Sequence, residues 1–310
     1  MIGSTTTPSG ATQQAWEFEK PIHGGIVVGV DGSRESIAAL NTAAAMARVR
    51  RCPLHAVSVL PPMSSYQFGT RSEVGTENLN HLRRQLRDSE LAGLMKALEP
   101  ASDWSAEVVI GRPPRELTRV ADLRGADLIV LGRRQHGSMD RVLGSETPLQ
   151  VMRMSAVPVL AVESEMDSVH TMVAAIDFSP SSVRAAELAL QLLKAAGSGT
   201  LYLVFVERPA ELIVNEFRLS AETRFPGDVV IWFRRLVDSL GAHPGILVEP
   251  VVLNGHTVTS LAEFAERVGA DLIAAGSHSH GRFERFLIGS VSTGLVRSAS
   301  CPVMVVPPRS

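Results

Sequence analysis

The stretch Gly276-Ser-His-Ser-His-Gly-Arg-Phe-Glu-Arg-Phe-Leu-Ile-Gly289-Ser290 has the residue types of an anion-binding loop. It follows an apolar run, Ala270 to Ala275, that reads as a buried strand. It precedes a short amphipathic stretch, Val291 to Arg297, that reads as a helix. Glycine lets the backbone approach an anion closely. The unpaired first-turn N–H groups and the dipole of the following helix then favour negative charge. Ser290 is placed to cap that helix or to offer its hydroxyl to the same anion. The chemistry indicated is the holding of phosphate. A related stretch, Gly132 to Gly144-Ser145, follows another apolar run, Ala126 to Leu131.

Other candidates weigh differently. Asp31 and Asp177 each end a β-branched or apolar run. A carboxylate there either meets a ligand at the carboxyl end of a parallel sheet or caps the helix that follows. His278 and His280 are two apart, with His256 upstream and His136 at the matching place of the earlier loop. No cysteine or spaced histidine completes a zinc set around them, so no metal site is assigned. Arg133, Arg134, Arg112 and Arg115 are able to complement phosphate or an acidic partner. Glu116 and Asp140 are interspersed among them, which favours a solvated surface of mixed charge. No nucleophile turn and no lysine-bearing phosphate loop is present, and no catalytic residue is assigned. Hydrolysis by such a site is expected to be very slow at most.

The elements that must position these residues alternate. In the first part of the chain, strands are predicted at 26–30, 54–60, 106–110, 126–131 and 157–162. Helices are predicted at 36–49, 79–98 and 116–123. The order then recurs, with strands at 172–176, 201–206, 246–253, 270–275 and 301–306 and helices at 182–196, 231–240 and 259–268. Four matched pairs, Asp271 − Asp127, Gly276 − Gly132, Pro302 − Pro158 and Gly255 − Gly111, each differ by 144, and Asp177 − Asp31 differs by 146. Matched residues in matched contexts mean duplication. Strand–helix alternation implies parallel sheets covered on both faces, an α/β class.

Bulk properties agree with this. The chain has 310 residues, 45% hydrophobic residues, a formal net charge of −2 and two cysteines, Cys52 and Cys301. That suits two domains with ordinary cores and no nucleic-acid footprint. Two distant cysteines fit small buried side chains in a reducing compartment rather than a disulfide framework. No run approaches a membrane span, and the N-terminus lacks a secretory pattern, so a cytoplasmic, non-membrane protein is expected. Residues 1–20 read as a disordered tail, 21–163 as the first domain and 170–310 as the second.

Strand-end Asp, an Ala-Asp-Leu-Ile strand, a glycine loop and a proline-bearing last strand, all occurring twice, resemble the universal stress protein family in its tandem form. The resemblance spans about residues 22–307. It implies two open five-stranded parallel sheets of Rossmann-like, adenine-nucleotide-binding type. It also implies a stress-response sensor or adaptor, ATP as ligand with Mg2+ accompanying it, and an unidentified protein partner. By the same resemblance Asp31 and Asp177 match the acid that reaches the nucleoside, and Val59 and Val206 match the residue whose backbone reads the adenine edge. Gly276, Gly289 and Ser290 match the phosphate loop, with Gly281 nearby. In single-domain members the last strands often pair, so the two halves here are expected to form an internal pseudo-dimer. A homodimer of the whole chain carries no marker in the sequence.

The copies are unequal. Gln135 and Ser279 replace the loop's middle glycine, and Gly144 − Gly132 is 12 where Gly289 − Gly276 is 13. Register carried from the fourth strand sets Ser145 and Glu146 opposite Gly289 and Ser290, and brings Pro148 to the helix start; aligning the Gly-Ser pairs instead leaves the loop one residue short. A carboxylate there repels phosphate. The nucleotide is therefore expected in the second domain, with Asp31, Val59, Gly132, Gly144 and Ser145 as weaker first-domain candidates. A nucleotide-free adaptor and a very slow ATPase remain the alternatives.

Overall fold

The computed structural model describes residues 24–60, 88–89, 92–93, 104–133, 146–166, 168–207, 228–277 and 288–308. Strands of the first half are β1 (Gly25–Gly29), β2 (Leu54–Leu60), β3 (Trp104–Ile110), β4 (Ala126–Gly132) and β5 (Val159–Val162). The second half has β6 (Thr171–Ala175), β7 (Gly199–Glu207), β8 (Ile246–Asn254), β9 (Leu272–Gly276) and β10 (Val303–Val306). Helices α1 (Arg34–Arg50), α2 (Pro113–Arg124) and α3 (Glu146–Met154) belong to the first half. Helices α4 (Pro180–Ala196), α5 (Asp228–Leu240), α6 (Thr257–Arg267) and α7 (Ser290–Ser298) belong to the second.

All the described strands join one ten-stranded sheet, in the order β3-β2-β1-β4-β5-β10-β9-β6-β7-β8. Pairing is parallel within each half and antiparallel between β5 and β10, where Val303 faces Ala161 and Val305 faces Val159. The last strands are thus the edges of their own halves and the centre of the whole. Both are entirely apolar and buried. An apolar edge left open invites foreign strands, and this pairing covers two such edges at once. The outer edges are β3 and β8, and β8 carries Pro250, whose missing N–H hinders further strand addition.

Alternation along the strands divides the core into two layers. Val28, Val130, Leu160, Met172 and Leu203 pack beneath α1, α4 and α5. Val27, Ile129, Val159, Val173 and Val204 pack beneath α2, α3, α6 and α7. Burial of each such side chain contributes about 1.5–3 kcal/mol. Because both faces are covered, strands read as continuous apolar runs rather than alternating ones.

Several element ends differ from the sequence-based expectation, each for a local reason. α2 starts at Pro113 instead of 116, because proline suits the first helical turn, where no N–H is needed. α4 likewise takes in Pro180. β5 and β10 start after Pro158 and Pro302, whose carbonyls accept from Ile129 N–H and Ile273 N–H, each at 3.0 Å. Of the predicted helix 79–98, only 88–89 and 92–93 are described, and these are helical. Among the described residues no helix is long and apolar enough to cross a membrane.

Candidate functional site

In the second half, β6 leads through α4 to β7 on one side, while β8 leads through α6 to β9 on the other. The connections diverge between β6 and β9, leaving a crevice at the carboxyl ends of these strands. Ala175 at the end of β6 is level with Ala275 of β9, so Asp177 and Gly276 flank that crevice. The first half repeats this with Gly29 level with Leu131, which brings Asp31 and Gly132 together.

Neither aspartate is the helix cap. Ser33 and Ser179 are, each accepting from the N–H three residues on, Ser36 and Ser182, at 3.2 Å. The acids sit two residues earlier. Asp177 Oδ1 accepts the Ser179 N–H at 2.9 Å. Asp31 Oδ1 accepts both the Ser33 N–H at 3.0 Å and the Ser33 hydroxyl at 2.6 Å. Asp177 is half-buried and Asp31 exposed. The recurring Ser-x-x-Ser, at 33/36 and 179/182, was the sequence signal for these caps.

The Val204 carbonyl accepts from Ile176 N–H at 2.8 Å, so it faces the β6 side, and the Glu207 carbonyl accepts from Gly255 N–H at 3.0 Å on the β8 side. Main-chain groups of successive strand residues point to opposite edges. Val206 therefore turns its N–H and C=O toward β6, at a level that β6, ending at Ala175, does not reach. Val59 is related in the same way to Val57, whose carbonyl accepts from Val30 N–H at 2.9 Å. A peptide edge left unpaired by its neighbouring strand is suited to a planar heterocycle with a donor and an acceptor on one side.

Gly276 owes its identity to packing. A Cβ there would lie 2.5 Å from Ser181 Oγ and 2.8 Å from Ser182 N, in the first turn of α4. At Gly132 it would lie 2.5 Å from the Glu35 carbonyl carbon and 2.6 Å from Ser36 N. The glycine lets the strand end meet the helix start. Glu35 also brings an acid into the first turn of α1, where α4 has none.

α7 begins at Ser290 with Gly289 as N-cap, not Ser290 as expected. Gly289 has φ −63° and ψ 154°, and among the described residues no side chain caps the helix. Its own N–H donates to Ser277 O at 2.6 Å, closing the base of the loop. Ser292 Oγ donates to Gly276 O at 2.6 Å, tying the helix start to the end of β9. The first-turn N–H groups of α7 thus open toward the crevice without a capping side chain, which is the arrangement that holds an anion. In the first half α3 starts at Glu146, and Pro148 is its third residue rather than its first. Gly281, Gly144, Ser145, His278, His280, His136 and Arg134 lie outside the described residues. His256, Arg112 and Arg115 are exposed. Arg133 is not a solvated surface residue: it is buried and bonded to the other half.

The model of the universal stress protein family matches residues 24–163 and again 168–307. The chain belongs to the universal stress protein family. Curated relatives agree over nearly the whole length. Universal stress protein MT2052 of Mycobacterium tuberculosis is 30% identical over 305 residues, covering 91% of this chain and 94% of the relative. A universal stress protein of Mycolicibacterium smegmatis is 27% identical over 299 residues, covering 92% and 97%. The crystal structure of a universal stress protein from Archaeoglobus fulgidus superposes with a TM-score of 0.66 at 22% identity, covering 92% of this chain and 98% of that one, which shows a shared fold. As a tandem universal stress protein, the chain carries two Rossmann-like units of one architecture whose carboxyl-end loops have diverged.

Proposed function

We propose that this chain is an adenine-nucleotide-binding sensor module that holds one ATP, in its second half. The observation that carries this reading is the start of α7. Among the described residues its first-turn N–H groups have no capping side chain, whereas α1 and α4 are closed by their own serines. Phosphate fits there, with Gly289 and Ser290 at the helix end, Gly276 at the strand end and Gly281 in the loop between. Asp177 faces a ribose hydroxyl or the adenine amine, and the main chain of Val206 reads the base. Mg2+ enters as companion of the phosphates. In the first half Asp31, Val59, Gly132, Gly144 and Ser145 form the lesser site. There Glu35 adds negative charge and Asp31 is engaged by two donors from Ser33. The boundaries 21–163 and 170–310 describe the two functional units.

Calorimetric titration with ATP tests the reading. Saturation is expected near one site per chain. Asp177→Ala or Gly289→Val removes most binding, while Asp31→Ala leaves it nearly intact. Two equivalent sites, or loss only with Asp31→Ala, overturns the assignment. Hydrolysis is expected well below the ~1–10³ per second of ordinary enzymes. Turnover in that range that disappears with Asp177→Ala would establish an ATPase instead.

One observation favours the adaptor reading. Between α5 and the edge strand β8 lies a groove of about 390 Å³, lined by Val230, Phe233, Val237, Pro250 and Val252 together with Arg234 and Asp238. Val230 there is 64% exposed. Mass spectrometry of ligand released from freshly purified protein separates the two, since an adaptor of that kind carries no nucleotide.

A further inference from the structure

Arg133 follows the last residue of β4, and its N–H donates to Val162 O at 2.7 Å. Its guanidinium reaches into the second half. Nη1 donates to Val296 O at 2.8 Å, and Nη2 donates to Ala299 O at 2.6 Å and Cys301 O at 2.9 Å. Glu163 Oε2 lies 3.9 Å from Nη2, and the residue is 4% exposed. These carbonyls belong to the last turn of α7, its C-cap and the segment leading to β10. A buried cation from one half thus closes the C-terminal end of the helix whose N-terminal end borders the candidate nucleotide site of the other.

The rest of the molecule shows why α7 needs this. α1, α2 and α4 end in a left-handed residue, Arg51, Gly125 or Gly197, whose N–H returns to the last carbonyls. The C-cap of α7, Ala299, is extended, with φ −69° and ψ 141°, and its N–H returns to one carbonyl, Leu295 O at 2.9 Å, where those caps return to two. At the matching place of the first half stands Ser155, since 299 − 155 is 144. Ser155 ties down the segment after α3: its hydroxyl donates to Val157 O, which matches Cys301 O, at 2.7 Å and accepts from Val157 N–H at 3.0 Å. Arg133 in turn matches Ser277, since 277 − 133 is 144, and Ser277 makes the same main-chain bond, to Val306 O at 2.7 Å. The halves have made a paired exchange. Where the first has the hydroxyl of Ser155, the second has alanine and receives Arg133. Carbonyls at a helix end accept well from a cation, and the dipole favours it.

We propose that Arg133 is a positioning residue for the second-half site: the loop base of the first half clamps α7 and so fixes its first-turn donors. The inference rests on the nucleotide reading above only for the ligand, since the clamp itself is judged separately. α7 has nine residues. It spans about 13 Å at 1.5 Å per residue, short enough to move as one piece. It is held at its start by Ser292 and Gly289 and at its end by Arg133. By reciprocity, an anion bound at the start of α7 also strengthens the fixation of the two halves through Arg133.

The test uses the full chain, with hydrogen exchange of residues 290–298 and titration with ATP. In Arg133→Met, α7 is expected to exchange about ten-fold faster and ATP to bind about ten-fold more weakly, as loss of charged hydrogen bonds implies. Peptides from β6 and β9 keep their protection. The double variant Arg133→Met/Ala299→Ser, which restores a donor to one of the three carbonyls, that of Cys301, recovers part of both. If Arg133→Met does not fold, Arg133→Lys serves, with intermediate values. Unchanged α7 exchange in a folded variant overturns the proposal, as does a uniform rise across the sheet or failure of the serine to rescue. Should the native chain bind no ATP while α7 still responds as described, the nucleotide reading falls and the clamp stands.

Discussion

His55 Nε2 lies 2.7 Å from Glu107 Oε1, across the parallel pairing of β2 and β3. Ser105, level with His55 on β3, meets Nδ1. A neutral ring satisfies both, donating from Nε2 to the carboxylate and accepting from the serine at Nδ1. Burial pushes the imidazole pKa down, and the positive charge of Arg124 adds to this, while the bond to Glu107 opposes it. The folded pKa therefore lies below the ~6.5 of an unfolded chain. Below about that pH the unfolded chain binds more protons, so this contribution is complete above it and is lost as pH falls toward the folded pKa. The urea midpoint should drop between pH 7.5 and 5.5, and drop less in His55→Gln. Parallel slopes for the two proteins would remove His55 as the cause.

The glycines at the ends of β4 and β9 make a second prediction. A methyl group at either meets the first turn of the facing helix, so Gly132→Ala and Gly276→Ala should each destabilise by about 1–3 kcal/mol. Gly132→Ala should cost at least as much, because its nearest main-chain atoms lie at 2.5–2.7 Å, whereas those nearest Gly276 lie at 2.8 Å. Gly289→Ala should cost less, about 1 kcal/mol or below, since its φ of −63° is open to any residue and only the cap preference is lost. Chemical denaturation of the three variants orders them. A Gly289→Ala as damaging as the other two would contradict the extended cap.

Much of this was legible in the chain. The offset of 144 residues, carried by Asp127/Asp271, Gly132/Gly276 and Pro158/Pro302, exposed the duplication, because identical packing roles preserve identical residues. Continuous apolar runs marked strands buried on both faces. What escaped depended on contacts far apart in sequence. Arg133 beside Arg134 reads as surface charge, since its partners Val296, Ala299 and Cys301 lie more than a hundred and sixty residues away. For Asp31 and Asp177 the sequence left a cap and a ligand contact both open, because Asp favours the cap position. The serine two residues on makes the same bond with a shorter side chain and leaves the carboxylate outside the helix.

The thiols give a simple check on burial. Desolvation raises the Cys301 pKa to about 11, against the lowering effect of Arg133, and raises that of Cys52 as well. At pH 8 a thiol of that pKa is thiolate in about one molecule in a thousand, and the thiolate is the reactive species. Iodoacetamide at pH 8 should leave both cysteines unmodified in the native chain and alkylate both in denaturant. Rapid native labelling of Cys301 would show that the segment from α7 to β10 opens.

The last prediction concerns the residue after Asp177. Phe178 has φ 60°, a left-handed conformation, where the matching residue of the first half is Gly32 at φ 79°. For a residue with a Cβ that conformation costs about 1–2 kcal/mol. The offset comes from the ring, whose centroid lies 5.7 Å from that of Phe205, 6.1 Å from Trp232 and 5.3 Å, edge-on, from Phe233. Aromatic packing beneath α4 and α5 thus holds a strained turn at the rim of the crevice. Phe178→Ala loses the packing and keeps the strain, so a loss of about 3 kcal/mol is expected. Phe178→Gly loses the same packing but releases the strain, and should be the more stable of the two by about 1 kcal/mol. This reverses the usual order of glycine and alanine. Equilibrium denaturation of both variants decides it: an alanine variant more stable than the glycine one would mean that Phe178 does not hold the left-handed turn.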